Sequence, residues 1–452
     1  MNKSSIIVSQ SQKIIRILRL KVTDKPGFLA KVTSVIGEAQ VNIGEITIIG
    51  QGPDFILREF SLQLIDIDHL NAVIYAIEKI DGISVESIID PVEQIHEGGK
   101  IAMKSRVKVD SLTEMRKIYT PGVAQICKLI ERDITLSRKY TGIGNTVAIV
   151  TNGSAVLGLG NIGAVAGMPV MEGKSVLFDC LVGISAIPIL IDSQDPQVII
   201  NTVKAISCTF GAIQLEDIKA PECFEIEQTL INELAMPIMH DDQHATAVVA
   251  LSALKTIALN TGIDLNTCKI GIIGLGAAGI GITRLLKAAL IKDIIGCDLR
   301  SDAIIKFEEF GGKSGDLNMV MNQADIVIAT TGVPQLIKPN MVRPGQIILA
   351  LSNPVPEIDP ELAMQQGAKF AADGRTINNA LAYPGIFHGA LRSKATCITD
   401  NMKLAAAEAI SLHTKTNNLV PSILDYKVHQ SVADAVSLAW FQDLHNFNNL
   451  KS

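Results

Sequence analysis

Apolar positions along the first part of the chain change period several times. Ile14–Val22 is a β-rich run and Asp24-Lys-Pro-Gly27 is a turn signal. Phe28–Ala39 then places Phe28, Leu29, Val32, Val35 and Ile36 at helical spacing. Strand runs follow at Val41–Ile49 and Phe55–Ile65, then a helix at His69–Ile80 and a last strand at Ile83–Ile89. The order βαββαβ predicts a ferredoxin-like module over residues 1–95. Polar Pro91–Lys108, with Gly98-Gly99, predicts a linker.

A mixed segment with Gly-rich loops runs from there to about Pro237. Alternating strands and helices continue to about Ala372, which predicts an α/β fold with a parallel sheet covered by helices. Asn401–Leu412 and Val428–Leu444 are helical. A chain of 452 residues needs more than one core, and the pattern divides it into 1–95, 100–243 and 244–452.

Hydrophobic residues are 48% and charged residues 19%, the balance of a packed globular protein. Aromatics are 4% with one tryptophan, Trp440, and the net charge is -6. Neither a stacking platform nor a basic field for nucleic acid is present. Seven dispersed cysteines, with no CxxC, read as reduced thiols of a cytoplasmic protein. Residues 1–13 lack a signal-peptide core, and no apolar run is long enough to span a bilayer, so no membrane role is expected.

GxGxxG occurs twice. In the copy Gly274-Leu275-Gly276-Ala277-Ala278-Gly279, a strand runs into the glycines and Ile280–Leu290 continues as a helix. A second strand then ends at Asp298, where the ribose-binding acid of a dinucleotide site belongs. These residues predict a Rossmann-type doubly wound domain that binds NAD. Arg300 offers a partner for a 2′-phosphate, so NADP stays open. The other copy, Gly158–Gly163, also has an acid at Asp179, but glycines and Pro169 follow it. They are expected to break a helix and leave no seat for a pyrophosphate.

Two acidic pairs end apolar, strand-like stretches: Glu216-Asp217 after Phe210–Leu215, and Asp241-Asp242 after Leu234–Met239. Paired acids there are costly unless a hard cation, Mg²⁺ or Mn²⁺, compensates them. The opposing possibility is an ordinary helix cap, as Asp242 would be for Ala245–Leu259. His240 and His244 have the spacing of a zinc pair but no evident third ligand. Lys174, just before an apolar strand or helix, and Tyr119, at a turn, cannot be assigned from spacing alone.

Two resemblances extend this reading. The turn at 24–27, the helix after it and Val41-Asn42-Ile43 resemble the ACT domain, a family of small-molecule sensors that often bind amino acids. That resemblance implies an amino-acid effector near Asp24, Gly27 and Asn42. Tyr119-Thr-Pro-Gly-Val, Gly158-Leu-Gly-Asn-Ile-Gly, Glu172-Gly-Lys174, Leu215-Glu-Asp217, His240-Asp-Asp-Gln-His-Ala-Thr246 and Leu351-Ser-Asn353-Pro, in this order, resemble bacterial malic enzymes.

By that second resemblance residues 100–243 form the malic-enzyme N-terminal catalytic domain, and 244–452 the NAD-binding domain with C-terminal helices. Glu216, Asp217 and Asp242 are implied metal ligands. Lys174 is the implied general base, its pKa lowered by burial or the metal, with Asp241 beside it, and Tyr119 is the implied general acid. Asn353 is implied to contact substrate and nicotinamide, and Asn378-Asn379 to belong to the substrate pocket. The segment Asp373–Asn379 is shorter than usual, which leaves the roles of the two asparagines undivided. The implied reaction is oxidative decarboxylation of malate by a homodimer or larger homo-oligomer. Malolactic decarboxylation with retained NAD, and a 2-oxo-acid or amino-acid dehydrogenase, are the alternatives.

Overall fold

Alternation sends Leu18, Leu20 and Val22 of β1 (Ile14–Thr23) to the same face as Phe60, Leu62 and Leu64 of β3 (Phe55–Leu64). That face packs on Val32 and Ile36 of α1 (Phe28–Glu38) and on Leu70, Val73 and Ile77 of α2 (Ile67–Glu78). With β2 (Asn42–Gln51) and β4 (Ile83–Ile89) the antiparallel order is β2-β3-β1-β4, the ferredoxin-like arrangement. The expected linker opens instead as a short helix, α3 (Pro91–His96). Asp90 accepts a hydrogen bond from the Val92 amide at 2.8 Å, and proline suits the first helical position.

The structure, a computed structural model, describes residues 13–156, 158–415 and 418–451, without the side chains of 447–451. Residues 1–12, read above for a leader, and Leu157, of the second glycine motif, lie outside the described residues. The chain forms two units, Met1–Ala102 and Met103–Ser452.

The second unit opens with α4 (Leu112–Ile118), α5 (Val123–Arg132) and α6 (Ser137–Tyr140). A four-stranded parallel sheet follows, built from β5 (Thr146–Thr151), β6 (Ser185–Leu190), β7 (Ala212–Leu215) and β8 (Ile238–His240) in the order β6-β5-β7-β8. Its crossovers contain α7 (Met168–Val182), α8 (Pro196–Ile206) and α9 (Glu222–Glu233).

After α10 (Asp241–Thr261) comes a six-stranded parallel sheet. Its strands and helices, in chain order, are β9 (Ile270–Ile273), α11 (Ala277–Ala288), β10 (Ile294–Cys297), α12 (Ser301–Glu309), β11 (Lys313–Ser314), α13 (Leu317–Gln323), β12 (Ile326–Ala329), β13 (Ile347–Ala350), α14 (Pro360–Gln365) and β14 (Phe370–Asp373). The order β11-β10-β9-β12-β13-β14 reverses between β9 and β12, and a dinucleotide lies across such a reversal.

Strands buried on both faces explain the continuous apolar runs at Ile270–Ile273, Ile326–Ala329 and Ile347–Ala350. α10 is apolar all round and mostly buried, as a helix enclosed by a core must be. Val248 and Leu254 share one apolar cluster with Val147 and Ile149 of β5 and with Ile270 and Ile272 of β9. The helix thereby joins both sheets, and its first turn holds Asp241 and Asp242. The expected boundary at 243/244 falls in that turn. α15 (Tyr383–Arg392), α16 (Asp400–Leu412) and α17 (Tyr426–Lys451) complete the unit, with α17 packed on α7, α15 and α16. Among the described residues no helix is long and apolar enough to cross a membrane.

Candidate active site

Lys174 stands inside α7, so of the strand or helix expected just after it the structure has the helix, which already begins at Met168. Gly163–Gly167 is a turn, but a helix does follow it: Pro169 lies in the first turn of α7, where a missing N–H costs nothing. The Lys174 ammonium is 2.5 Å from Asp241 Oδ2 and 2.9 Å from Glu216 Oε1, and it sits 4.6 Å from the Tyr383 ring centroid. Phe178, one turn along α7, packs edge-on against Tyr383 at 4.9 Å.

Burial alone would lower the pKa of this ammonium. The carboxylates of Asp241 and then Glu216 outweigh it and hold Lys174 well above the ordinary lysine value. Among the chain's own groups, the paired carboxylates therefore act against the expected lowering by burial.

The acids converge from two strand ends. One oxygen each from Glu216, Asp217 and Asp242 lies within 4.8 Å of the others. Asp217 has φ 52, the left-handed region that aspartate tolerates better than most residues, and its amide donates to Asp242 Oδ2 at 3.1 Å. Gln214 donates to Glu216 Oε2 at 2.6 Å. Burial, followed by the Asp242 charge, pushes Asp217 up to about 8. Burial likewise raises Glu216 and Asp241, against the pull of Lys174.

Asp217 Oδ2 and Asp241 Oδ1 are buried without a hydrogen-bond partner. Four acids thus share one lysine, and Asp217, which bears one of the unpartnered oxygens, belongs to the converging set. An all-oxygen donor set of this kind fits a hard divalent cation.

The two histidines part company. His240 Nε2 lies 3.6 Å from Asp242 Oδ2, whereas His244 Nε2 is 3.0 Å from Glu227 Oε2. Burial lowers His244 to about 4. Glu227 is held at about 2 although burial opposes this, because His244 lies against it. The pair supports the first turn of α10 from behind, and Glu227 Oε1 also accepts from the His240 amide at 2.7 Å.

A cleft of about 790 Å³ runs from Asp242 to Gly274, Gly276 and Asp298. Gly274 has φ 91, and a Cβ there would meet the Thr330 carbonyl at 2.8 Å, so only glycine suits this crossing. Gly276 precedes α11 without a side-chain cap, leaving the first amides open toward a pyrophosphate.

Asp298 accepts from the Leu275 amide at 2.7 Å and from the Arg300 amide at 2.9 Å. The Arg300 guanidinium is directed to the Ala220 carbonyl, at 3.1 Å. It thus ties the Asp298 side of the cleft to the loop that follows Glu216-Asp217. Gly158 and Gly160 of the second glycine motif line the same cleft, and Gly158 lies against Asn353-Pro354.

Asn353, Asn378 and Asn379 line the opposite wall. The structure divides the paired asparagines. Asn379 Nδ2 donates to Asp241 Oδ2 at 2.5 Å, whereas Asn378 Oδ1 caps its own turn through the Ala380 amide.

Residues 99–231 match the family model for the malic enzyme N-terminal domain, and residues 12–85 match an ACT domain model. NAD-dependent malic enzyme 1 of Bacillus subtilis is 51% identical over 431 residues, covering 95% of this chain and 98% of that protein. The chain belongs to the malic enzyme family. A bifunctional malic/malolactic enzyme of Bacillus subtilis is 41% identical over 368 residues, covering 75% of this chain and 90% of that relative. The crystal structure of an NAD-dependent malic enzyme from Thermotoga maritima gives a TM-score of 0.73 at 37% identity, covering 77% of this chain and 99% of the other.

Within this malic enzyme fold two groups of expected residues stand apart. Tyr119 ends α4 and is 70% exposed, and it is not among the residues that line the cleft with Asp242. Asp24 and Gly27 occupy the β1–α1 turn, but Asn42 pairs with Gln63, which pairs with Ile15 at the far end of β1. At about 3.3 Å per residue these positions lie at opposite ends of the sheet.

Sequence reasoning missed Gln214, Tyr383, Gly374 and Glu357. A Cβ on Gly374 would come 2.7 Å from Asn353 Nδ2 and 2.1 Å from the Leu351 carbonyl, so that glycine makes room for the asparagine. The proline-rich run Asn353-Pro-Val-Pro-Glu357 was the available signal for Glu357.

Proposed function

We propose that this chain converts malate to pyruvate and CO₂ while reducing NAD, with Mg²⁺ or Mn²⁺ bound by Glu216, Asp217 and Asp242. The supporting observation is the placement of Lys174, between Asp241 and Glu216, beside three converging carboxylates in a unit whose cleft is walled by Gly274–Gly279. Residues 100–243 supply the metal and proton chemistry, with Asp242 contributed at the junction, and 244–452 supply the cofactor site.

Bound in that oxygen set, the cation supplies Lewis acidity toward the malate hydroxyl and carboxylate. NAD held along Gly274–Gly279 and Asp298 would supply the hydride acceptor for C2. Lys174 would accept the proton of the C2 hydroxyl in its neutral form. Asp241, oriented by Asn379, holds the Lys174 nitrogen in place and would offset the positive charge it gains. The β-keto acid loses its C4 carboxylate as CO₂, and C3 must then be protonated.

Tyr119 is the donor for C3, reaching the site from a second copy of the chain. The supporting observation is that α4 and α5 bury no residue. Leu112, Met115, Ile118 and Val123 stay exposed beside Tyr119. Amphipathic helices with an unburied apolar face suit an isologous dimer contact. The ACT unit offers the same logic, since an amino-acid effector touching Asp24, Gly27 and Asn42 needs two copies.

The relative that is both a malic and a malolactic enzyme keeps the second chemistry in view. Absorbance at 340 nm with malate, NAD and Mn²⁺ separates them. Net NADH with pyruvate supports the reading, and lactate without NADH overturns it.

A further inference from the structure

Glu357 is fully buried, and hydrogen bonds rather than a cation hold its carboxylate. Oε1 accepts from the Thr331 amide at 2.7 Å, the Thr331 hydroxyl at 3.0 Å and the Ser352 hydroxyl at 2.5 Å. Oε2 accepts from the Ser352 amide at 3.2 Å. The Ser352 hydroxyl in turn accepts from the Gly332 amide at 2.8 Å. One side chain therefore joins the segment after β12, Thr331-Gly332, to the segment after β13, Ser352-Asn353. Thr331, Gly332, Ser352 and Asn353 all line the cleft, on the side of the strand-order reversal away from Asp298.

A dinucleotide spans that reversal. With its adenosine ribose at Asp298, its nicotinamide half meets the segments that Glu357 joins. Hydride transfer needs donor and acceptor carbons near 3–3.5 Å, and displacements of about 1 Å from outside the reacting groups can cost ~10²-fold.

We infer that Glu357 is a positioning residue for the nicotinamide end of the cofactor: it fixes the two cleft-lining segments, Thr331-Gly332 and Ser352-Asn353, the second of which presents Asn353. The inference rests on the reading of Asn353 as a nicotinamide and substrate contact. A carboxylate offers acceptors at both oxygens, and four donors converge on this one. Glutamine would set an NH₂ group against an N–H or O–H donor.

The test compares Glu357→Gln, Ser352→Ala and Asn353→Ala with the wild type, as full-length protein with Mn²⁺. The readouts are the Kd for NADH from its fluorescence, KM for NAD, KM for malate, kcat and the kinetic isotope effect on kcat with malate deuterated at C2. For Glu357→Gln, the Kd for NADH and KM for NAD each rise about tenfold and kcat falls about tenfold, while KM for malate moves less than about twofold. The isotope effect rises as hydride transfer becomes limiting. Ser352→Ala, which removes one of the four bonds, moves each quantity the same way by about two- to threefold and covers the case in which Glu357→Gln does not fold.

A merely structural strut would lower the unfolding midpoint while leaving both KM values and the isotope effect unchanged, and that result overturns the inference. If Asn353→Ala is impaired while Glu357→Gln and Ser352→Ala are normal, the inference on Glu357 falls and the reading of Asn353 stands. If Asn353→Ala is itself normal, the reading of Asn353 falls.

Discussion

Replacing Lys174 with methionine keeps an unbranched four-atom stem and removes the terminal ammonium. The ammonium bridges Asp241 at 2.5 Å and Glu216 at 2.9 Å and is itself only 12% exposed. Removing one partner of a buried ion pair typically costs about 3–5 kcal/mol, because the other charge is left uncompensated. Asp241 and Glu216 already have raised pKa values against the pull of Lys174, so protonation limits the loss at low pH. A deficit of about 3 kcal/mol near pH 8 corresponds to a drop of roughly 1 M in urea midpoint for a unit of this size.

The sign with pH follows from linkage. Carboxyls whose folded pKa exceeds the unfolded value of about 4 destabilise the fold increasingly as pH rises through the folded values. The deficit of Lys174→Met is therefore greatest on the alkaline side and shrinks toward pH 5. Divalent cation works in the same direction as the lost ammonium, so Mn²⁺ raises the variant's midpoint more than the wild type's. Trp440, buried in α17, reports unfolding of this unit by fluorescence in EDTA and in Mn²⁺. Equal midpoints in EDTA, or no differential response to Mn²⁺, would refute the reasoning. Turnover falls by about 10²–10⁴ in either case.

Two further outcomes follow from other parts of the unit. Tyr119→Phe and Lys174→Ala are each nearly inactive, but co-refolded at equal amounts they regain about a quarter of wild-type activity if Tyr119 acts across a dimer. No recovery, in mixtures shown by native mass spectrometry to contain heterodimers, removes the second-copy assignment. His244 is held at about 4, below its unfolded value of about 6.5. Its neutral form is favoured by folding, so its contribution is complete above pH 6.5 and is lost as pH falls toward 4, at up to about 1.4 kcal/mol per pH unit. Denaturant midpoints of His244→Gln fall less between pH 7 and pH 5 than those of the wild type; parallel curves contradict this.

The parts of the site that sequence reveals are those in which one short segment contains the whole signal. The strand, glycine turn and helix around Gly274 are contiguous, and so is each acidic pair at its strand end. Hydrophobic period alone separates the βαββαβ module from the parallel sheets. What stays hidden depends on contacts between distant positions. Asn379 meets Asp241 across 138 residues, and Lys174 meets it across 67.

The glycines and proline before Lys174 suggested a broken helix, because composition does not show that Pro169 falls in a first turn. Glu357 looks like one more loop acid until β12 and β13 are side by side. Tyr119 has a clear local motif, yet its own chain leaves it exposed, so its role depends on a surface that a second copy would cover.

The central claim is that hydride transfer and loss of the C4 carboxylate are coupled in one metal-dependent site. Malate labelled with ¹³C at C4, incubated with the full-length protein, NAD and Mn²⁺, tests it directly by NMR alongside absorbance at 340 nm. One labelled CO₂ is expected for each NADH formed, with both lost in EDTA. Label retained in a four-carbon product while NADH accumulates, or label released without NADH, would contradict it.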